Sequence, residues 1–140
     1  MGEESGSFGQ GKGTRTYRRI LQDRYLLSDN RSVFEPQPGL PDGNEHSDWT
    51  IFSYDSARGL IVIRQFNSEG FVNRFVQEEQ PTGEGLVFVS EASENAPEGL
   101  RARLTLDIVS QTEIEETFEL ANRDQEFRVV LRNHWRKQTP

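Results

Sequence analysis

The chain has 140 residues and a formal net charge of −7, enough for one domain that buries about two thirds of its unfolded surface and too little for two substantial ones. Its 16 Lys and Arg are scattered rather than gathered on one face, which argues against a nucleic-acid partner, and no run approaches the roughly 18 apolar residues of a membrane span. Disulfides, thiolate metal sites and thiol nucleophiles are excluded because there is no cysteine; with no charged-then-apolar leader either, the expected setting is soluble and cytoplasmic.

The opening MGEESGSFGQGKG has five glycines in thirteen residues and no apolar period. It reads as a flexible glycine-rich lead over residues 1–12 or a loose hairpin, followed by a single β-barrel domain over 13–140. From Thr14 onward, short β-branched and aromatic runs are punctuated by turn chemistry, and no segment sustains a helical apolar period. Strands are expected near residues 13–20, 24–34, 47–54, 60–67, 71–78, 85–91, 100–109, 113–121 and 126–136. EPQPGLPDG, from Glu35 to Gly43, must be a loop, and YDSARG and NSEG are tight hairpin turns. In the first of these turns Tyr54 closes a strand and Asp55 bonds the backbone two residues on.

The stretch LIVIRQFNSEGFVNRFV, from Leu60 to Val76, raises the functional question. An even loop at NSEG sets Phe66 opposite Phe71, Arg64 opposite Asn73 and Val62 opposite Phe75. If that phenylalanine face points inwards, a guanidinium and an amide enter the enclosure, where bare burial of a charge costs several kcal/mol. A pocket for an anionic or polar ligand would accept them, with Glu116 and Asn133 lining the same space. The competing readings are an internal Arg64–Glu116 ion pair without a ligand, and a bulge that turns Arg64 outwards.

Near the end of the chain, a connection at Ser110–Thr112 sets Ile108 against Ile114, Leu104 against Phe118 and Arg103 against Glu119. An even loop around Asn122–Gln125 likewise sets Leu120 against Phe127 inside. The same loop sets Glu119 against Arg128, Glu115 against Arg132 and Glu113 against His134 outside. Trp49 and Trp135, each at a strand end, read as core or barrel-end plugs.

SDWTIFSYDSARGLIVIRQFNSEGFVNRFV, RYLLSDNRSVF before it, and FVSEASENAPEGLRAR, ETFELA and EFRVVLRNHWRK after it resemble a family of small lipocalin-like prokaryotic proteins. That family lies in the calycin group, beside lipocalins, fatty-acid-binding proteins and haem-binding nitrobindins. The resemblance covers nearly the whole chain from about Gly11. It implies an all-β, up-and-down antiparallel barrel of about ten strands around a cavity, with function in the family mostly undetermined. Members open with a Trp-x-Gly-x-Gly strand; here the glycines are present without the Trp, so a missing or degenerate first strand and an exposed edge are expected. Such an edge makes a homodimer a candidate state.

By analogy with fatty-acid-binding proteins, Arg64 with Tyr17 would hold a ligand carboxylate, Asn73, Glu116 and Asn133 would add polar contacts, and Phe66, Phe71 and Phe75 would form the apolar wall. The expected partner is therefore a small hydrophobic or anionic, fatty-acid-like molecule. The rivals are a structural or partner-binding barrel with a filled interior and a haem-binding barrel. Nitrobindin-like barrels place an axial histidine on a late strand, as His134 stands in NHWRK, but parity with Phe127, Val129, Leu131 and Trp135 puts His134 on the other face unless a bulge intervenes. His46, in GNEHSDW, reads as a solvated loop residue. No zinc site is expected from two distant histidines, and no nucleophile elbow or phosphate loop is present, so an enzyme is disfavoured.

Overall fold

Runs that alternate apolar and polar side chains between turns can satisfy their backbone only by pairing with one another. In the computed structural model, which describes residues 2–6, 9–39, 41–78 and 85–138, they do so as a ten-stranded up-and-down antiparallel barrel. The strands are β1 (Gly2–Gly6), β2 (Gly9–Ile20), β3 (Tyr25–Phe34), β4 (Asn44–Asp55), β5 (Leu60–Asn67), β6 (Val72–Gln77), β7 (Leu86–Glu94), β8 (Arg101–Ile108), β9 (Glu113–Ala121) and β10 (Arg128–Arg136). Each pairs with its neighbours in sequence. β1 also pairs with β10, Gly2 opposite Trp135 and Gly6 opposite Leu131, which closes the sheet. No helix among the described residues is long and apolar enough to cross a membrane.

The N-terminal stretch departs from expectation. The supposed flexible lead supplies β1 and the start of β2, so the first strand is present without a Trp and leaves no open edge to drive a homodimer. Gly11 makes the close approach of β2 to β3 feasible: a Cβ there would lie 2.7 Å from Phe34 Cδ1 and 3.0 Å from the Val33 carbonyl oxygen.

Two turns behave as their chemistry requires. Asp55 Oδ1 accepts hydrogen bonds from the backbone N–H groups of Ala57 (3.1 Å) and Arg58 (3.3 Å), and Gly59 closes the turn at φ 68°. The β8–β9 pair has the expected register, with Ile108 opposite Ile114, Leu104 opposite Phe118 and Arg103 opposite Glu119. The Arg103 guanidinium donates twice to that carboxylate, at 2.7 and 2.9 Å.

Two other registers differ. Between β5 and β6, Phe66 opposes Val72, Arg64 opposes Arg74, Gln65 opposes Asn73 and Ile63 opposes Phe75. The cause is Phe71, which belongs to the turn: Asn67 donates to its carbonyl from both backbone N–H (3.1 Å) and side-chain amide (3.2 Å), and Gly70 adopts φ 96°. One added turn residue makes the connection odd, and a one-residue slip exchanges the two faces. Between β9 and β10, a bulge between Val129 and Leu131 sets Leu131 against Phe118, Asn133 against Glu116 and His134 against Glu115. The expected Glu119–Arg128 pair is replaced, since Glu119 opposes Val129 and binds Arg103. Phe127 leaves the interior and lies under the guanidinium groups of Arg101 and Arg103, 4.9 and 4.5 Å from its ring centre.

The interior is divided by these registers. The β5–β9 wall contributes Ile63, Phe75, Phe88, Ala102 and Leu104 as a buried cluster, with Phe52, Ile61, Leu86, Leu106, Phe118 and Leu120 packed against it. The β2–β4 wall is polar inside: Ser28, Asn30, Ser32, Asp48 and Thr50 are all buried.

Candidate functional site

A barrel that buries this many polar groups must pair them. The pairing is organised by Arg15, at the middle of β2. Gly11, Gly13, Arg15 and Tyr17 share one face of that strand, opposite Phe34, Ser32, Asn30 and Ser28 on β3. The Arg15 guanidinium reaches across the barrel to Glu116 on β9, donating from Nη1 to Oε2 at 2.8 Å and from Nη2 to Oε1 at 3.0 Å. Its Nε donates to Asn30 Oδ1 at 3.2 Å, and its plane covers the Trp135 ring at 4.0 Å. This bidentate, stacked geometry is specific to arginine.

The chain of contacts continues on both sides. Asn133 Nδ2 donates to Glu116 Oε1 at 2.7 Å. Asn30 Nδ2 donates to Asp48 Oδ2 at 3.0 Å and to Ser32 Oγ at 3.2 Å, and the Thr50 hydroxyl donates to Asp48 Oδ1 at 2.9 Å. His46 ends the chain between two carboxylates, with Nε2 3.2 Å from Asp48 Oδ2 and Nδ1 2.7 Å from Glu69 Oε1.

Protonation follows from this arrangement. Burial works to raise the Glu116 pKa, but the Arg15 charge and the hydrogen bonds from Arg15 and Asn133 outweigh it and hold the carboxyl below its ordinary value. The same balance keeps Asp48 low: burial opposes ionisation, and hydrogen bonds from His46 and Thr50 prevail. Burial disfavours a charged Arg15, yet Glu116 keeps its pKa raised. For His46, burial alone would lower the pKa; bonds to Asp48 and Glu69 prevail and lift it to about 9, so the ring is an imidazolium at neutral pH. The network is thus two cations and three carboxylates locked together.

The sequence-derived candidates are distributed as follows. Glu116, Asn133, Asn73 and Phe75 are inside and buried. Asn73 belongs to a separate cluster, donating to Gln65 Oε1 at 3.2 Å and accepting from the Ser93 hydroxyl at 3.0 Å. Tyr17 is inward by parity but 45% exposed, with its hydroxyl 3.4 Å from Arg15 Nη1. Arg64 and Phe66 are outside, because of the register slip at the NSEG turn. Arg64 is exposed and, among the described residues, donates to Ser53 Oγ at 3.3 Å, so both the carboxylate clamp and the Arg64–Glu116 pair are overturned. Phe71 lies in the turn, just before β6. Trp49 is 52% exposed on the outer face, whereas Trp135 is buried inside.

Neither histidine offers a ligand position. His134 is on the outer face, 3.4 Å from Glu113 Oε2 and 3.6 Å from Glu115 Oε1: the β10 bulge leaves Val129 outside and sets Leu131, Asn133 and Trp135 inside, so His134 between them faces out. His46 is on β4 rather than in a loop, and both its ring nitrogens face carboxylates. Among the described residues no group of three or more His, Asp and Glu is arranged to hold a metal ion.

Arg15, Asn30 and Asp48 are interior groups that pattern reading overlooked, and His46, expected as a solvated loop residue, joins them on β4. A signal existed in GQGKGTRTY: two glycines on the same face as Arg15 and Tyr17 clear space for a long inward side chain. In comparison with known proteins, the chain matches no protein-family model and no curated protein.

Proposed function

We propose that the barrel binds a small, largely apolar organic molecule in its interior. The observation that carries this reading is incomplete burial of side chains that point inwards. Phe52 on β4, Gln65 on β5, Leu106 on β8, Phe118 on β9 and Leu131 on β10 are only half-buried, although Phe75 and Phe88 beside them are fully enclosed. A filled core closes over such residues; solvent-sized access to them marks room within the wall. The apolar cluster of β5–β9 supplies the surface for the guest and the Arg15 network the polar boundary.

The reading differs from a fatty-acid clamp. Arg15 is committed to Glu116 through both Nη atoms, and Arg64 is outside. Native mass spectrometry of the freshly purified protein should show a co-purified organic mass or uptake of phenylnaphthylamine, an uncharged fluorescent probe. Leu106→Trp discriminates further: with room inside, it abolishes probe uptake at little cost in stability, whereas in a filled barrel overpacking costs about 1–3 kcal/mol. No probe uptake together with that destabilisation means that the interior is a structural core.

A further inference from the structure

Two polar atoms on the inner face of β10, Asn133 Oδ1 and Trp135 Nε1, are buried and have no hydrogen-bond partner among the described residues. Their residues are 5% and 6% exposed. The Asn133 orientation is dictated chemically. Glu116 accepts at 2.7 Å and a carboxylate cannot donate, so the amide nitrogen must face it and the oxygen must face away. The Trp135 indole is held under the Arg15 guanidinium, and its only polar atom is a donor. The two residues project to the same side of one strand, two positions apart, roughly 6–7 Å along the chain.

Charge excludes an ionised occupant there. Arg15 spends both Nη atoms on Glu116, so an anion would meet the Glu116 carboxylate with no uncommitted cation beside it among the described residues. A cation would find that carboxylate already held bidentately. What remains unmet is one acceptor and one donor, next to inward Ile114, Leu106 and Phe118.

We infer that the guest carries an uncharged head group with both a donor and an acceptor, a primary amide or an alcohol, which donates to Asn133 Oδ1 and accepts from Trp135 Nε1. This rests on the interior-binding reading above. The apolar remainder of the guest then lies along Leu106 and Phe118.

The test is displacement of phenylnaphthylamine from the full chain at neutral pH by ligands of equal chain length: decanamide, decanol, decanoate and decylamine. Decanamide and decanol should bind about tenfold or more tightly than the two charged ligands. Trp135→Phe, which keeps a ring under Arg15 and deletes the N–H, should weaken decanamide about fivefold relative to the probe. Equal affinities across the series, or an unaltered decanamide affinity in Trp135→Phe while the probe still binds, would overturn the head-group assignment alone; the two atoms would then be satisfied by water. Failure of the probe to enter the wild-type protein would remove the interior-binding reading itself and this inference with it.

Discussion

Arg15 and Glu116 stand 101 residues apart in the chain and form an interior ion pair at 2.8 Å. Their side chains are 12% and 9% exposed, so removing one partner strands the other in a medium that solvates it poorly. Arg15→Met should lower the unfolding free energy by about 3–5 kcal/mol in urea denaturation, and Arg15→Met combined with Glu116→Leu should recover much of that loss. Arg64→Ala, on the surface, should shift stability by no more than about 0.5 kcal/mol. A large loss from Arg64→Ala and none from Arg15→Met would reverse the interior assignment. His46 gives a pH signature. Its folded pKa of about 9 lies above the ordinary 6.5, so its stabilisation is complete below pH 6.5 and disappears as pH rises through 9. Stability should fall across that window by on the order of 1–2 kcal/mol, discounted for partial exposure, and the decline should be absent in His46→Gln. Glu116 and Asp48 act oppositely: with folded pKa values below the ordinary range, their contribution is lost as pH falls through those values.

At the level of strands, register decides function. The β5–β6 hairpin illustrates it: absorbing Phe71 into the turn sends Ile61, Ile63 and Gln65 inwards and Val62, Arg64 and Phe66 to the other face. The β8–β9 hairpin was legible because its short connection and its facing charges, Arg103 and Glu119, agree on one pairing. The β5–β6 segment has mixed residues on both faces, so neither hydrophobic alternation nor charge opposes a slip. In β9–β10 the charges favour a register that is already one residue off where Arg128 opposes Leu120, and that the bulge shifts by another. Strand β2 has its own constraint at Gly11. Gly11→Ala places a methyl 2.7 Å from Phe34 Cδ1 and 3.0 Å from a backbone oxygen, and should cost about 1–3 kcal/mol in thermal or urea unfolding. Combining it with Phe34→Leu should restore part of that loss; no change in stability from Gly11→Ala would show that β2 and β3 tolerate a wider separation.

For the whole molecule, closure rests on β1, which pairs with both β2 and β10. Deleting residues 1–8 should expose the edges of β10 and β2 and produce concentration-dependent self-association in analytical ultracentrifugation; a strictly monomeric deletion variant would show that closure does not protect those edges. By itself the sequence determined the all-β class, the approximate positions of nine strands and the turn at Asp55, because two-residue alternation and turn chemistry are properties of neighbouring residues. Only the tertiary structure decided that the glycine-rich opening is barrel wall, that Arg15 rather than Arg64 enters the interior, and that Glu116 is neutralised from across the sheet. Those outcomes depend on a single residue in a turn, on a bulge and on contacts between distant strands, and each can exchange inside for outside without changing the local pattern.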